Sequence, residues 1–211
     1  GGREGRAHGE DSHQKGSKGI RGACSQTPNA VERMWIQRVW VAQYGDRLAR
    51  DLGATRDCLV ADSAVTLPVG EISVAAQRIH DVCQEALAAG IEQAQPGNRL
   101  SDISHAIQVV VEEAGFSVVR SLVGHGVGRS YHEDPQIPNY GPPGKGPLLG
   151  EGMTLAIEPM ITPGRPAVYV HDDDWSISSV DESLAAHFEH TVAITAGRPK
   201  NRTKAGAALL R

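Results

Sequence analysis

Apolar side chains along this chain keep changing their spacing, and each change marks an element. Ile72, Ala75, Ile79, Val82, Ala86 and Ala89 recur every three or four residues, which places them on one stripe of a helix over residues 72–92. Pro96-Gly97 stops it. Ile103, Ile107, Val110 and Val111 define a second helix, with Ser101 as its expected cap and an end near Gly115. Ahead of the helices, residues 51–57 and 58–67 look like two strands joined by a tight turn at Arg56-Asp57. Behind them, residues 116–119 form a short strand candidate, residues 124–151 are rich in glycine and proline and read as loop, and residues 153–161 and 188–195 read as strands. The order of hairpin, two helices and further strands is an α+β pattern. No internal repeat of solenoid length occurs.

Residues 1–28 break with this. They carry seven glycines, many charges and almost no large apolar groups, so they cannot bury enough surface to offset their ordering entropy. They are expected to be disordered. Residues 30–44 show neither a helical stripe nor strict alternation. The expected division is an aberrant or disordered segment over residues 1–44, a folded domain over 45–197 and a basic, frayed tail over 198–211. The first methionine is Met34, which suggests that a piece is missing in front or that residues upstream of about 40 were translated out of frame.

Composition narrows the class. A chain of 211 residues suits one domain, and its net charge of −4 gives no basic field for nucleic acid or a membrane surface. No apolar run reaches the length of a membrane span, and no signal segment opens the chain. Cys24, Cys58 and Cys83 are an odd, scattered set that fits reduced thiols. A cytoplasmic protein is expected.

Candidate chemistry begins with Asp51 and Asp62. A hairpin turning at Arg56-Asp57 sets them directly opposite, with Cβ atoms roughly 4.5–5.5 Å apart. Two half-buried carboxylates that close repel, and either a proton or a divalent cation relieves the repulsion. His125 lies between Gly124 and Gly126, where small neighbours permit close backbone approach to a ligand. His132 follows in the run GHGVGRSYHEDP. Glu158 ends the apolar run before it, where a charge is costly unless paired or bound. Glu189 stands beside His190. Taken singly, the aspartates are better read as exposed acids flanking a turn and the glutamates as strand-end salt-bridge partners, while the bland account of His125 and His132 as surface loop histidines is weakened by the glycines and the acidic pair beside them. Taken together, two Asp, one His and two Glu suit divalent Mn, Fe, Co or Zn, with oxygens enough to bridge two ions.

Four separated segments, GD-x4-D-LGA-x2-D-x4-D-S-A-V-T, GHGVGRSYHEDPQIPNYG, EGMTLAIEPM and DESLAAHFEHT, stand in the order found in type I methionine aminopeptidases. Residues 45–197 resemble that family. The resemblance implies the pita-bread α+β fold with an incomplete N-terminal lobe, and two divalent metal ions held by Asp51, Asp62, His125, Glu158 and Glu189. It implies that Glu158 is also the general acid/base, that His132 hydrogen-bonds the substrate near the scissile bond, and that Trp175 lies beside the bound substrate. The implied activity is removal of the initiator methionine from newly made chains, with nascent N-termini near the ribosome as partners and a monomeric enzyme. Three positions depart from the family pattern: Met34 stands where a further catalytic histidine is expected, Cys58 replaces a turn glycine, and Arg50 replaces an apolar strand residue. Two rival readings follow, an Xaa-Pro aminopeptidase and a pita-bread remnant that binds without turnover.

Overall fold

The computed structural model describes residues 33–36, 43–172 and 176–203. The expected disorder of residues 1–28, most of the ambiguous segment 30–44, Trp175 and the tail beyond residue 203 lie outside the described residues.

Strand β1 (Arg33–Ile36) pairs antiparallel with β2 (Arg47–Arg56), which forms a hairpin with β3 (Leu59–Pro68). The turn sits at Asp57-Cys58, both with positive φ of 50° and 62°, as a two-residue hairpin loop of the I′ type requires. It is one residue later than expected, so the register shifts by two. Asp51 faces Ala64 and Asp62 faces Gly53. The two aspartates are therefore diagonal neighbours on one sheet face rather than a directly opposed pair, a separation that carboxylates can still span.

Helix α1 (Val74–Gln93) begins where Ser73 Oγ accepts the Ala76 amide at 3.1 Å. Helix α2 (Leu100–Glu113) is capped by Arg99 rather than by Ser101. The Asp102 carboxylate accepts the Arg99 amide at 2.7 Å. Ser101 and Asp102 instead accept amides of Lys145 and Gly144, both at 2.7 Å, and so tie the proline-rich loop to the start of α2.

The strands after α2 are β4 (Ser117–Val118), β5 (Gly124–Gly126), β6 (Glu133–Ile137), β7 (Thr154–Ile157), β8 (Met160–Thr162), β9 (Val168–Val170), β10 (Ile177–Ser179), β11 (Ala186–His187), β12 (His190–Ala193) and β13 (Lys200–Asn201). Two of them, β5 and β6, lie inside the segment expected to be loop, and β13 lies in the expected frayed tail. Sheets run β13-β12-β7-β5-β6 and β11-β8-β4, with a separate β9-β10 hairpin. One core joins Ile79, Cys83 and Ala86 of α1 and Ile103, Ile107 and Val111 of α2 to Leu155, Ile157, Ile161 and Val192 of the strands.

The two larger sheets share a seam. β7 leaves the five-stranded sheet at Glu158-Pro159 and continues as β8 in the other, while β11 makes the reverse crossing at Phe188-Glu189 to become β12. His187 pairs with Met160 and His190 with Ile157, so the common register sets Glu189 opposite Glu158. Two carboxylates are thus fixed at one gap by strand pairing on both sides of it.

Candidate metal centre

The hairpin β2–β3 docks on this gap through β12. Thr191 Oγ1 accepts the Asp62 amide and donates to the Asp62 carbonyl, both at 2.8 Å, and the Glu189 amide donates to Ala64 O at 2.9 Å. These bonds bring Asp62 to Glu189. The neighbouring strand β5 adds His125, which pairs with Ala156 of β7. Ligand atoms of Asp62, His125 and Glu189 lie within 4.8 Å of one another, all on buried residues.

The glycines around His125 serve this placement differently from the expectation. They admit neighbouring strands and not a ligand: a Cβ on Gly124 would stand 2.4 Å from Ala156 O, and one on Gly126 2.3 Å from Asp134 O.

His125 Nδ1 lies 2.8 Å from its neighbour's carbonyl, Gly126 O. A carbonyl only accepts, so Nδ1 carries the proton and a neutral ring presents a bare lone pair at Nε2. That lone pair faces Glu158 Oε1 at 3.5 Å and Asp62 Oδ2 at 3.7 Å. Three lone-pair donors converging in a buried site repel unless a proton or a cation stands among them.

The carboxylates show the same deficit of positive charge. Asp51 is pushed up to about 7, first by burial and then by the Asp62 charge. Burial, followed by the charges of Glu158, Asp62 and Asp51, raises Glu189 well above the usual carboxylate range. Asp51 Oδ1 and Glu189 Oε1 are buried without a hydrogen-bond partner, and orphaned buried oxygens are rare without an unseen occupant. Hard oxygen donors with one imidazole fit a divalent metal. The donor set fits.

His132 stands at the rim, exposed, its ring 4.4 Å from the His125 ring. Burial and the nearby His125 lower its pKa, which favours the neutral ring. Two residues not singled out from the sequence also reach the site. Tyr131 donates its hydroxyl to Asp62 Oδ1 at 2.7 Å and lies over Gly53, whose Cβ would meet its ring at 2.0 Å. His187 Nε2 stands 3.5 Å from Glu158 Oε2. An aromatic and an imidazole within the quoted motifs were the available signals, and nothing in the spacing marked them. Cys58, at the hairpin turn, is disulfide-bonded, contrary to the expected set of reduced thiols; Cys83 is free and buried.

Comparison with known proteins places this geometry. Residues 6–196 match Peptidase_M24, the metallopeptidase family M24. The chain is 49% identical over 181 residues to methionine aminopeptidase 1 of Bacillus subtilis, covering 86% of this chain and 73% of that protein. It is 48% identical to the Clostridium acetobutylicum methionine aminopeptidase over 76% of this chain and 64% of the relative. Its fold superposes with a TM-score of 0.75 on the crystal structure of a Thermotoga maritima methionine aminopeptidase, at 49% identity over 77% of this chain and 66% of the other. A Pyrococcus furiosus prolidase gives a TM-score of 0.63 at 27% identity, over 78% of this chain and 43% of the prolidase. The chain therefore belongs to metallopeptidase family M24, and its fold is the pita-bread α+β fold that these relatives share. Use of a divalent metal comes with that family. The chain spans roughly two thirds of the length of these methionine aminopeptidases.

Proposed function

We propose that this chain is a methionine aminopeptidase, removing the N-terminal methionine from newly made proteins with two divalent cations. The observation that carries the reading is His125 Nε2 facing the Asp62 and Glu158 carboxylates in a buried gap that Glu189 also lines. Asp51, Asp62, His125, Glu158 and Glu189 would hold the cations. When bound, such a pair lowers the pKa of water enough to supply hydroxide near neutral pH and polarises a carbonyl.

The chain's own residues supply the rest. Glu158, whose side chain is 13% exposed, would take the attacking water's proton and return it to the leaving amine, the role the family resemblance implies for it. His132, at the rim and outside the donor cluster, is placed to hydrogen-bond the substrate's peptide group. Nascent N-termini are the proposed substrates and the cytoplasm the proposed location. The location rests on that activity alone, because the thiol argument for it fails at Cys58. No helix among the described residues is long and apolar enough to cross a membrane.

The test is hydrolysis of a Met-Gly-Met peptide and of an X-Pro peptide by the full chain supplemented with Mn, Fe, Co or Zn. Release of methionine is expected. Release of X from X-Pro alone would make it a prolidase-like enzyme, and metal binding without release from either would leave a binding protein.

A further inference from the structure

Glu158 is flanked by two imidazoles, and only one of them is accounted for by the metal centre. His125 faces Oε1, while His187 Nε2 faces Oε2, each at 3.5 Å. His187 Nε2 is buried and has no hydrogen-bond partner. Its backbone is pinned on both sides: the amide donates to Thr66 Oγ1 at 3.0 Å, and that hydroxyl donates to His187 O at 2.9 Å. Thr66 is itself 2% exposed, and its carbonyl accepts His80 Nε2 at 2.7 Å. Pairing of His187 with Met160 ties the same residue to the strand that begins just after Glu158. His187 on β11 is therefore held beside Glu158, which lies just before the paired strand β8.

We propose that His187 is a positioning residue for Glu158. Its Nε2–H donates to Oε2 and fixes the plane of the carboxylate, so that Oε1 turns toward the His125 side while Oε2 is held for proton transfer. A separation of 3.5 Å without substrate closes readily to a hydrogen bond when the site fills. Partners of this kind, one bond removed from the ligand atoms, affect metal affinity and turnover by about 10–100-fold. The inference rests on the metallopeptidase reading above and assigns a role to a residue outside its donor set.

The experiment compares the parent chain with His187→Leu, which keeps an apolar side chain and removes the donor, and His187→Gln, which keeps a neutral N–H donor. Each is melted to check folding, titrated with Mn by calorimetry and assayed on Met-Gly-Met. For His187→Leu the expected result is a kcat about 10–100-fold lower with KM little changed, and Mn binding about tenfold weaker. His187→Gln should restore both to within about threefold of the parent. Parent-like kcat and affinity in the Leu variant would overturn the proposal, as would failure of Gln to restore them in a folded protein. Should the Leu variant not fold, the Gln variant decides alone, since weakened binding there removes the donor role. If the parent binds Mn but releases no methionine, the enzyme reading fails and the titrations still decide His187.

Discussion

Substituting Gly126 by alanine tests whether close strand packing is what aims His125. The added Cβ would sit 2.3 Å from Asp134 O, 2.8 Å from Asp134 C and 3.0 Å from Glu133 O, all backbone atoms of β6. An ordinary contact needs about 3.4 Å or more, so β5 and β6 must part by roughly 1 Å, the two strands having no flexible side chain there to yield. β5 cannot move freely in response, because its other edge is paired with Ala156 and Leu155 of β7. Overpacking of this kind costs about 1–3 kcal/mol. For a chain of this size, about 2 kcal/mol lowers Tm by about 4–8 °C. The same displacement carries His125 Nε2 off its 3.5 Å and 3.7 Å approach to Glu158 and Asp62, and a misplacement near 1 Å is enough to cost about 100-fold in turnover. Gly197→Ala is the control, since nothing lies within 4 Å of its Cβ. The assays are thermal melting and calorimetric titration with Mn. A Gly126→Ala protein that melts within about 1 °C of the parent and binds Mn equally would refute the packing account.

Three further outcomes are expected. Asp62→Ala should lower metal content from about two ions per chain to one or none, read by elemental analysis of the purified protein; equal content in both would remove Asp62 from the ligand set. Because Asp51 is held at about 7 against an ordinary 3.8, the metal-free native state binds an extra proton between those values. The contribution of Asp51 to stability should therefore be largest at or below about pH 4 and be lost as pH rises through about 7, and metal binding at pH 6 should release about one proton or more. Melting of the chelated parent against chelated Asp51→Asn, and calorimetry in buffers of different ionisation enthalpy, check the two halves of that statement; a parent that loses no stability relative to Asp51→Asn between pH 4 and 7 would contradict it. Cys83 is 0% exposed and its thiol is pushed up by burial, so labelling by an aromatic disulfide reagent should proceed at the rate of unfolding, and rapid labelling of native protein would show the core to be open there.

How far the sequence could be read depended on which interaction fixed each element. Both helices were legible because one stripe of each faces a single core, and Ile79, Ile103 and Ile107 mark it. The α2 cap was misread because Arg99 offered no cap signature; it is Asp102, reaching back to the Arg99 amide, that closes the first turn. The hairpin existed in the pattern, but its register did not. Cys58 adopts a positive φ that favours glycine, so the turn carried no Asp-Gly signal, and a slip of one residue at the turn became a shift of two in the pairing of Asp51 and Asp62. Strands β5 and β6 were hidden in a stretch where Gly124 and Gly126 mean close approach of backbones, a purpose that composition alone does not separate from loop.

The carboxylates and His125 were legible for a different reason. A charged group at the end of an apolar run is costly wherever the run goes, so Glu158 could be singled out before its partners were known. His187 could not. Its chain neighbours are ordinary and its significance arises only from pairing with Met160, two residues beyond Glu158. The same β7–β8 and β11–β12 register that places Glu189 opposite Glu158 also brings His187 to the far oxygen of Glu158. Any change that slips this pairing by one residue would turn Glu189 to the other face of the sheet and remove His187 from Glu158 in the same step. On the proposed reading, the seam between the two sheets is the feature on which metal binding and proton transfer would both depend, and the two should fail together when it is disturbed.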